Sequence, residues 1–181
     1  MVACPTIETA RLTLRPFHEG DLDAYFAVLD TAPVRAALHT PDTFDRGGAW
    51  EQMAMWLGQW ALRGTGQWAL VERETDRLVG RAGLHQPERP GWPGIEVGWA
   101  LHPDHWGRGF ATEAGQAAVD YGFDELGVDQ LCSVILPENV SSQAVARRLG
   151  FELRERRVLS HFPDQPHGIW WKTRPISEPV G

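Results

Sequence analysis

The sequence predicts an α/β fold built on a mixed sheet, and three observations carry that prediction. Segments that alternate with period two, as strands do, recur between segments with the three-and-four spacing that stripes one side of a helix. One strand with apolar odd positions, Ile95 to Leu101, runs into a glycine-rich turn and then a helix. The order reads β-α-α-β-β-β-α-β-α-β-β, about seven strands with helices to cover both faces of the sheet.

Arg11 to Phe17 alternates Leu12 and Leu14 against Arg11, Thr13 and Arg15 and predicts the first strand. Leu22, Tyr25, Phe26 and Leu29 mark a helix over Asp21 to Leu29, after which Pro33 and Pro41 break the pattern. A second helix is predicted from Trp50 to Leu62. Trp68 to Glu72 and Leu78 to Leu84 read as a hairpin around Glu74, Thr75 and Asp76, followed by a Pro/Gly-rich connection from His85 to Gly94. Beyond Ile95 to Leu101, a helix is expected over Thr112 to Phe123 and a strand over Leu131 to Leu136. A helix from Ser141 to Leu149 ends at Gly150, and strands Phe151 to Val158 and Ile169 to Thr173 complete the sheet.

With 181 residues, no internal repeat and no linker, the chain reads as one domain over 1–181, with a frayed tail at 174–181. Hydrophobic residues make up 43% and charged residues 23%, which excludes a disordered chain. No apolar run approaches the roughly 18 residues of a membrane span, and Met1 to Ala10 has no basic segment followed by an apolar stretch. The expectation is a cytoplasmic protein without a membrane partner. Two cysteines, Cys4 and Cys132, are too few for a disulfide framework. A net charge of −7 argues against a nucleic-acid partner and leans towards a cationic substrate.

The most informative segment follows Leu101: His102, Pro103, Asp104, His105 and Trp106, then Gly107, Arg108, Gly109, Phe110, Ala111 and Thr112. At a helix N-terminus the first amides lack partners and carry the positive end of the dipole, so a phosphate can accept from several at once. Gly107 and Gly109 allow close backbone approach, and Arg108 adds charge. The turn fits a diphosphate cradle, or a tight strand-to-helix turn that holds nothing. It is neither the dinucleotide G-x-G-x-x-G nor a P-loop.

A second constellation, Asn139, Ser142, Val145, Arg148, Leu149, Gly150 and Phe151, follows another strand. Trp106 to Glu113 reads WGRGFATE and Asn139 to Phe151 reads NVSSQAVARRLGF, while Glu8 to Phe17 reads ETARLTLRPF. Together these blocks resemble the GNAT superfamily of N-acetyltransferases, and within it the RimJ/RimL-like subgroup that acetylates N-termini of ribosomal proteins. The resemblance implies the acyl-CoA N-acyltransferase fold, with strands Ile95 to Leu101 and Leu131 to Leu136 parallel and splayed and a bulge near the end of the first. It implies acetyl-CoA as cosubstrate, an amine acceptor (a peptide N-terminus or a small molecule), a homodimer in some members, and no metal. The pyrophosphate would rest on Gly107 to Thr112, with Leu101, His102 and Trp106 beside it and Asn139 and Ser142 at the thioester end.

Transfer to an amine needs a neutral nitrogen, a polarised carbonyl and a leaving thiolate. An α-amine, with a pKa of roughly 8, is easier to neutralise than a lysine by about 3.3 kcal/mol. Glu96 is the base candidate, as the one acidic side chain in the central strand; the competing reading is a salt-bridged or solvated glutamate. Backbone N–H groups of Leu101 or His102 would polarise the carbonyl. His102 and His105 stand three apart without a third ligand, which reads as a loop pair or, for His102, a proton relay.

Ala146 occupies the place where many members of the family carry a tyrosine that protonates the thiolate, which leaves Ser142 as acid or an unassisted departure. Ser142 reads equally as a first-turn hydroxyl bonded to backbone. Trp50, Trp60 and Trp99 read as core, whereas Trp92, Trp170 and Trp171 read as packing or as a wall of the acceptor channel. An amine-antibiotic acetyltransferase, a non-catalytic acyl-CoA sensor and a nucleotide-phosphate domain of another fold are the competing functions.

Overall fold

The computed structural model describes residues 3–175, which form one eight-stranded sheet flanked by helices on both faces. The strands are β1 (Ile7–Glu8), β2 (Leu12–Arg15), β3 (Gln67–Glu72), β4 (Arg77–His85), β5 (Glu96–Leu101), β6 (Gln130–Ile135), β7 (Glu152–Leu159) and β8 (Phe162–Thr173). The helices are α1 (Leu22–Leu29), α2 (Ala32–Leu38), α3 (Arg46–Arg63), α4 (Phe110–Asp120) and α5 (Val140–Arg148). Strand order across the sheet is β1-β2-β3-β4-β5-β6-β8-β7, antiparallel everywhere except at β5 and β6.

The eighth strand is β1, two residues pairing Ile7 with Leu14 and Glu8 with Thr13, too short to leave an alternation in the sequence. α2 also differs from expectation. Pro33 lies in its first turn, where the missing N–H has no helical partner to lose, so the proline starts a helix where a break was predicted. α3 begins four residues earlier than predicted because Asp45 caps it, accepting from the Gly48 amide at 3.0 Å. α4 likewise starts at Phe110, and its end passes into a π-helical turn over Tyr121–Glu125. Of the tail expected at 174–181, residues 176–181 lie outside the described residues, and the Arg174 amide donates to the Asp129 carbonyl at 2.8 Å.

Alternation along the strands fills two cores. On one face Leu70, Val97, Leu101 and Phe110 pack with Ala114, Ala118, Ala146 and Leu149 of α4 and α5. On the other, Ala69 and Ala100 meet Leu22, Tyr25, Met53 and Trp56 of α1 and α3. Leu84 and Val97 are fully buried, each worth about 1.5–3 kcal/mol. Trp60 is buried, whereas Trp50, predicted as core, is 48% exposed because it lies on the outward stripe of α3. Among the described residues no helix is long and apolar enough to cross a membrane.

β5 and β6 pair in parallel at one register only, Glu96 with Cys132, and then diverge. The β4–β5 register runs without a shift from Glu96 to Leu101. The bulge expected near the end of β5 is therefore absent, and the gap arises from divergence of the two strands.

Candidate active site

The divergence opens a cleft of about 1580 Å³ in the middle of the sheet, between β5 and β6. It is bordered by β4 and β5, by α2 and α3, by the N-terminal ends of α4 and α5, and by the connection after β4 and the hairpin before β8. Its lining brings together Glu96, Leu101, Trp106, Gly107, Gly109, Phe110, Ala111, Thr112, Asn139 and Ser142.

Three hydrogen bonds brace the cleft where the strands part. The Cys132 amide donates to the Ile95 carbonyl at 2.9 Å as a parallel ladder requires. Two residues on, the Val134 amide turns to the Glu96 carboxylate at 3.3 Å, and the Val97 carbonyl accepts the Ser133 hydroxyl at 3.0 Å. Burial pushes the Glu96 carboxyl up to about 7, against the Val134 hydrogen bond and the positive fields of Arg81 and Arg89. A carboxyl at that level can accept a proton near neutral pH.

At the other end, Gly107 (φ 73°) and Gly109 (φ 83°) adopt left-handed backbone. A Cβ on Gly107 would meet nothing within 4 Å, and one on Gly109 would lie 3.3 Å from Arg11 Nη2. Among the described residues no protein acceptor takes the amides of Gly107, Arg108, Gly109, Phe110, Ala111 or Thr112. Six free donors lie at the positive end of α4, five of them on residues that line the cleft, and such a set fits a diphosphate.

Arg108 departs from the expectation. Its Nη2 donates to Glu72 at 2.5 Å and its Nη1 lies 3.2 Å from His105 Nδ1, so its charge is neutralised away from the cleft. Arg11 is the guanidinium that lines the cleft near the turn, bonded to Glu113 at 2.7 Å and to the Arg108 carbonyl at 2.7 Å. Both guanidiniums lie over the Phe110 ring, at 4.8 and 4.5 Å.

His102 is corrected as well. Its amide donates to the Val79 carbonyl at 2.9 Å and its Nδ1 accepts from Asp104 N at 3.3 Å, so it lies outside the cleft and offers no donor to it. That bond places His102 in a hydrogen-bonded pair with β4, so strand alternation turns the Leu101 amide towards β6 and the gap. The Leu101 carbonyl accepts the Trp106 indole N–H at 2.8 Å, which makes Trp106 a pin between strand and turn.

Asn139 caps α5, its Oδ1 accepting from Ser142 N at 3.0 Å and Ser141 Oγ at 2.9 Å. Among the described residues the Ser142 hydroxyl has no protein partner and so is free to donate into the cleft. Ala146 is fully buried in the core beneath α5.

Several lining residues escaped the sequence reading. Arg81, Gln67, His85 and Trp56 gather on the Glu96 face of β5, and Trp92, one of the tryptophans read as packing or as a channel wall, lines the cleft from the connection. Burial and the positive charges of Arg89 and Arg81 lower His85 to about 3, so it is neutral. Arg81, a cation inside the run Leu78 to Leu84, was the one signal available. Trp99 lines the cleft and packs only partly on the core, while Trp170 is buried and Trp171 lies away from the cleft.

Comparison with known proteins agrees with this geometry. The family model of the acetyltransferase (GNAT) domain matches residues 11–152. The chain is 31% identical over 153 residues to the uncharacterized N-acetyltransferase YoaA of Bacillus subtilis (strain 168), covering 82% of this chain and 83% of that one. A solved acetyltransferase from Agrobacterium tumefaciens str. C58 superposes with a TM-score of 0.82 at 31% identity, over 96% of this chain and 97% of that one. RimL, a ribosomal L7/L12 α-N-protein acetyltransferase in complex with coenzyme A, shares the fold with a TM-score of 0.77 at 18% identity, over 93% and 98% of the two chains.

The chain belongs to the GNAT acetyltransferase family. It is an acyltransferase, of the class that moves an acetyl group from acetyl-CoA to an amine.

Proposed function

We propose that this enzyme acetylates a primary amine by direct attack in a ternary complex, with Glu96 as base and Ser142 as acid. The observation that carries the reading is that one cleft joins the free amides of Gly107 and of Gly109 to Thr112 to a carboxyl raised to about 7. The amides of Gly107 to Thr112 would hold the diphosphate, and the gap between β5 and β6 would take the pantetheine arm. Acetyl-CoA supplies the activated acyl group.

The remaining work falls to the chain. Glu96, ionised above about pH 7, accepts a proton from the acceptor's ammonium group and so frees the lone pair that attacks the acyl carbon. The Leu101 amide, turned towards the gap, donates to the acyl oxygen as its charge grows. The unpartnered Ser142 hydroxyl donates to the departing sulfur, in place of the tyrosine that Ala146 excludes.

The RimJ/RimL-like subgroup belongs to the same reading. It is supported by Trp106 at the head of WGRGFATE, by ETARLTLRPF at Glu8 to Phe17, and by the fold shared with RimL. The test is release of CoA thiol from acetyl-CoA over a panel of peptides and small amines. Turnover that falls at least a hundredfold in Glu96→Gln and about tenfold in Ser142→Ala supports these roles. Tight acetyl-CoA binding with no turnover on any amine would favour a sensor.

A further inference from the structure

The acceptor half of the cleft holds a cation without a counter-ion. Arg81 rises from β4 opposite Ala100, on the face that carries Gly98 and Glu96, and only 9% of it is exposed. Its Nη1 donates to Gln67 Oε1 at 2.9 Å and its guanidinium lies 5.2 Å over the Trp56 ring. Its Nε is buried with no acceptor, and Arg81 makes no ion pair among the described residues. A guanidinium keeps its charge under all ordinary conditions, so this is a buried positive charge with no carboxylate in contact.

Its place in the cleft is set by Gln67. The Gln67 amide reaches over Gly98, where an added Cβ would stand 3.6 Å from Nε2. The Arg81 head group bonded to Gln67 therefore lies near the level of Gly98, two residues or about 7 Å along β5 from Glu96. Gly98 lines the cleft and projects no side chain between the two.

Arg89, which also lines the cleft, lies 5.2 Å over Trp92 and makes no ion pair among the described residues. The other cleft-lining charges fall elsewhere: Arg11 is paired with Glu113, and Glu138 and Arg148 flank α5. Glu96 is the one carboxyl facing Arg81 and Arg89, and its own task is to take a proton.

We propose that the acceptor is an amine carrying a carboxylate a few bonds away, as a free amino acid does, and that Arg81 binds the carboxylate while Glu96 receives the amine proton. This rests on the transfer function above and narrows its acceptor class: a peptide N-terminus offers an amide where Arg81 would take a carboxylate, so the RimJ/RimL likeness extends to fold and cofactor and not to the acceptor. It reverses the lean towards a cationic substrate that the net charge of −7 suggests, because the local field at the acceptor is positive where the global charge is negative. A polyamine would place a second ammonium group against Arg81 and Arg89.

The test uses the intact protein with acetyl-CoA and matched acceptors: amino acids of several side chains, their carboxamides, the amines left when the carboxyl is removed, an aminoalkyl phosphate, and spermidine. Against its carboxamide, an amino acid has the more basic amine and so less of it neutral, which handicaps the amino acid in that comparison in the absence of a binding site. The expected result is nonetheless a kcat/KM at least tenfold higher for the preferred amino acid than for its carboxamide. Arg81→Met should bring that ratio near one, chiefly through KM, and Arg81→Lys should keep part of it.

Equal rates for acid and amide in the native enzyme, a preference for spermidine or the phosphate, or a ratio that survives Arg81→Met would each overturn the proposal. The native comparison needs no variant, so it decides even where Arg81→Met does not fold. Turnover of amides and polyamines without carboxylate preference would remove the acceptor class alone. Acetyl-CoA binding with no amine turned over would remove the transfer function beneath it.

Discussion

The Val134 amide donates to the Glu96 carboxylate across the point where β5 and β6 separate, at 3.3 Å. A regular parallel ladder would send that amide to the Val97 carbonyl, which instead accepts Ser133 Oγ. Two side chains thus stand in for one backbone bond, and the strands part without leaving either group unpaired. The residue that closes the sheet here is also the proposed acceptor of the amine proton.

The acceptor-side kcat/KM is expected to rise with pH through about 7, as Glu96 loses its proton. Glu96→Gln should flatten that limb and lower the rate by about 10²–10⁴-fold. A pH–rate profile of both proteins over pH 5.5–9 checks this, and an unchanged limb in the variant would remove Glu96 as the base.

Stability should move in the opposite sense. The Glu96 pKa is raised in the folded state from 4.5 to about 7, so its contribution is full below pH 4.5 and is lost as pH rises through about 7. The loss amounts to about 3 kcal/mol at most. Glu96→Gln, which cannot ionise, should gain on the native protein between pH 5 and pH 8, as read by urea denaturation at the two values.

Gly107→Ala and Gly109→Ala should each cost about 1–2 kcal/mol, because an L-residue is forced into left-handed backbone. They should differ in their contacts: a Cβ at 107 meets open space, while one at 109 presses on Arg11 and so on its bonds to Glu113. Both variants are expected to raise the KM for acetyl-CoA by about tenfold. An unaltered KM in both would argue against the turn as the diphosphate site.

Asn139→Ala removes the cap of α5 and should cost about 1 kcal/mol, with Asn139→Asp restoring most of it. Because the cap also fixes the backbone of Ser142, kcat should fall in the alanine variant more than KM changes. Chemical denaturation and steady-state kinetics on the three proteins separate the two effects.

Neither cysteine should react with a disulfide reagent at pH 8 in the folded state. Burial pushes the Cys4 thiol up to about 12 and raises Cys132 still further, which leaves almost no thiolate on either. Ellman titration should count near zero thiols per native chain and two per denatured chain, so CoA release can be followed with the same reagent.

Legibility in the sequence followed how locally each feature is encoded. The glycine turn and the strand before it were readable because free amides, left-handed glycines and a helix start all follow from adjacent residues, 107–112. α2 was missed because Pro33 looks the same in a break and in a first turn until the chain around it is known. His102 and Arg108 were assigned by proximity to the turn, yet their partners, Val79 and Glu72, come from strands more than twenty residues earlier. Arg81 went unread for the same reason: only the β4–β5 register puts it on the face of Glu96. Asn139 and Ser142 both line the cleft, but the cap that occupies Asn139 needs the helix geometry to be seen.

The peptide unit between Leu101 and His102 is clamped at both ends, its oxygen by the Trp106 indole and its nitrogen by Val79. That clamp makes the junction of β5 and the following turn a rigid link, with no freedom to lengthen. The span from the glycine turn at 107–109 to the Glu96 carboxyl therefore behaves as a fixed gauge, and with the roles proposed for its two ends a thioester on a shorter arm would stop short of Glu96.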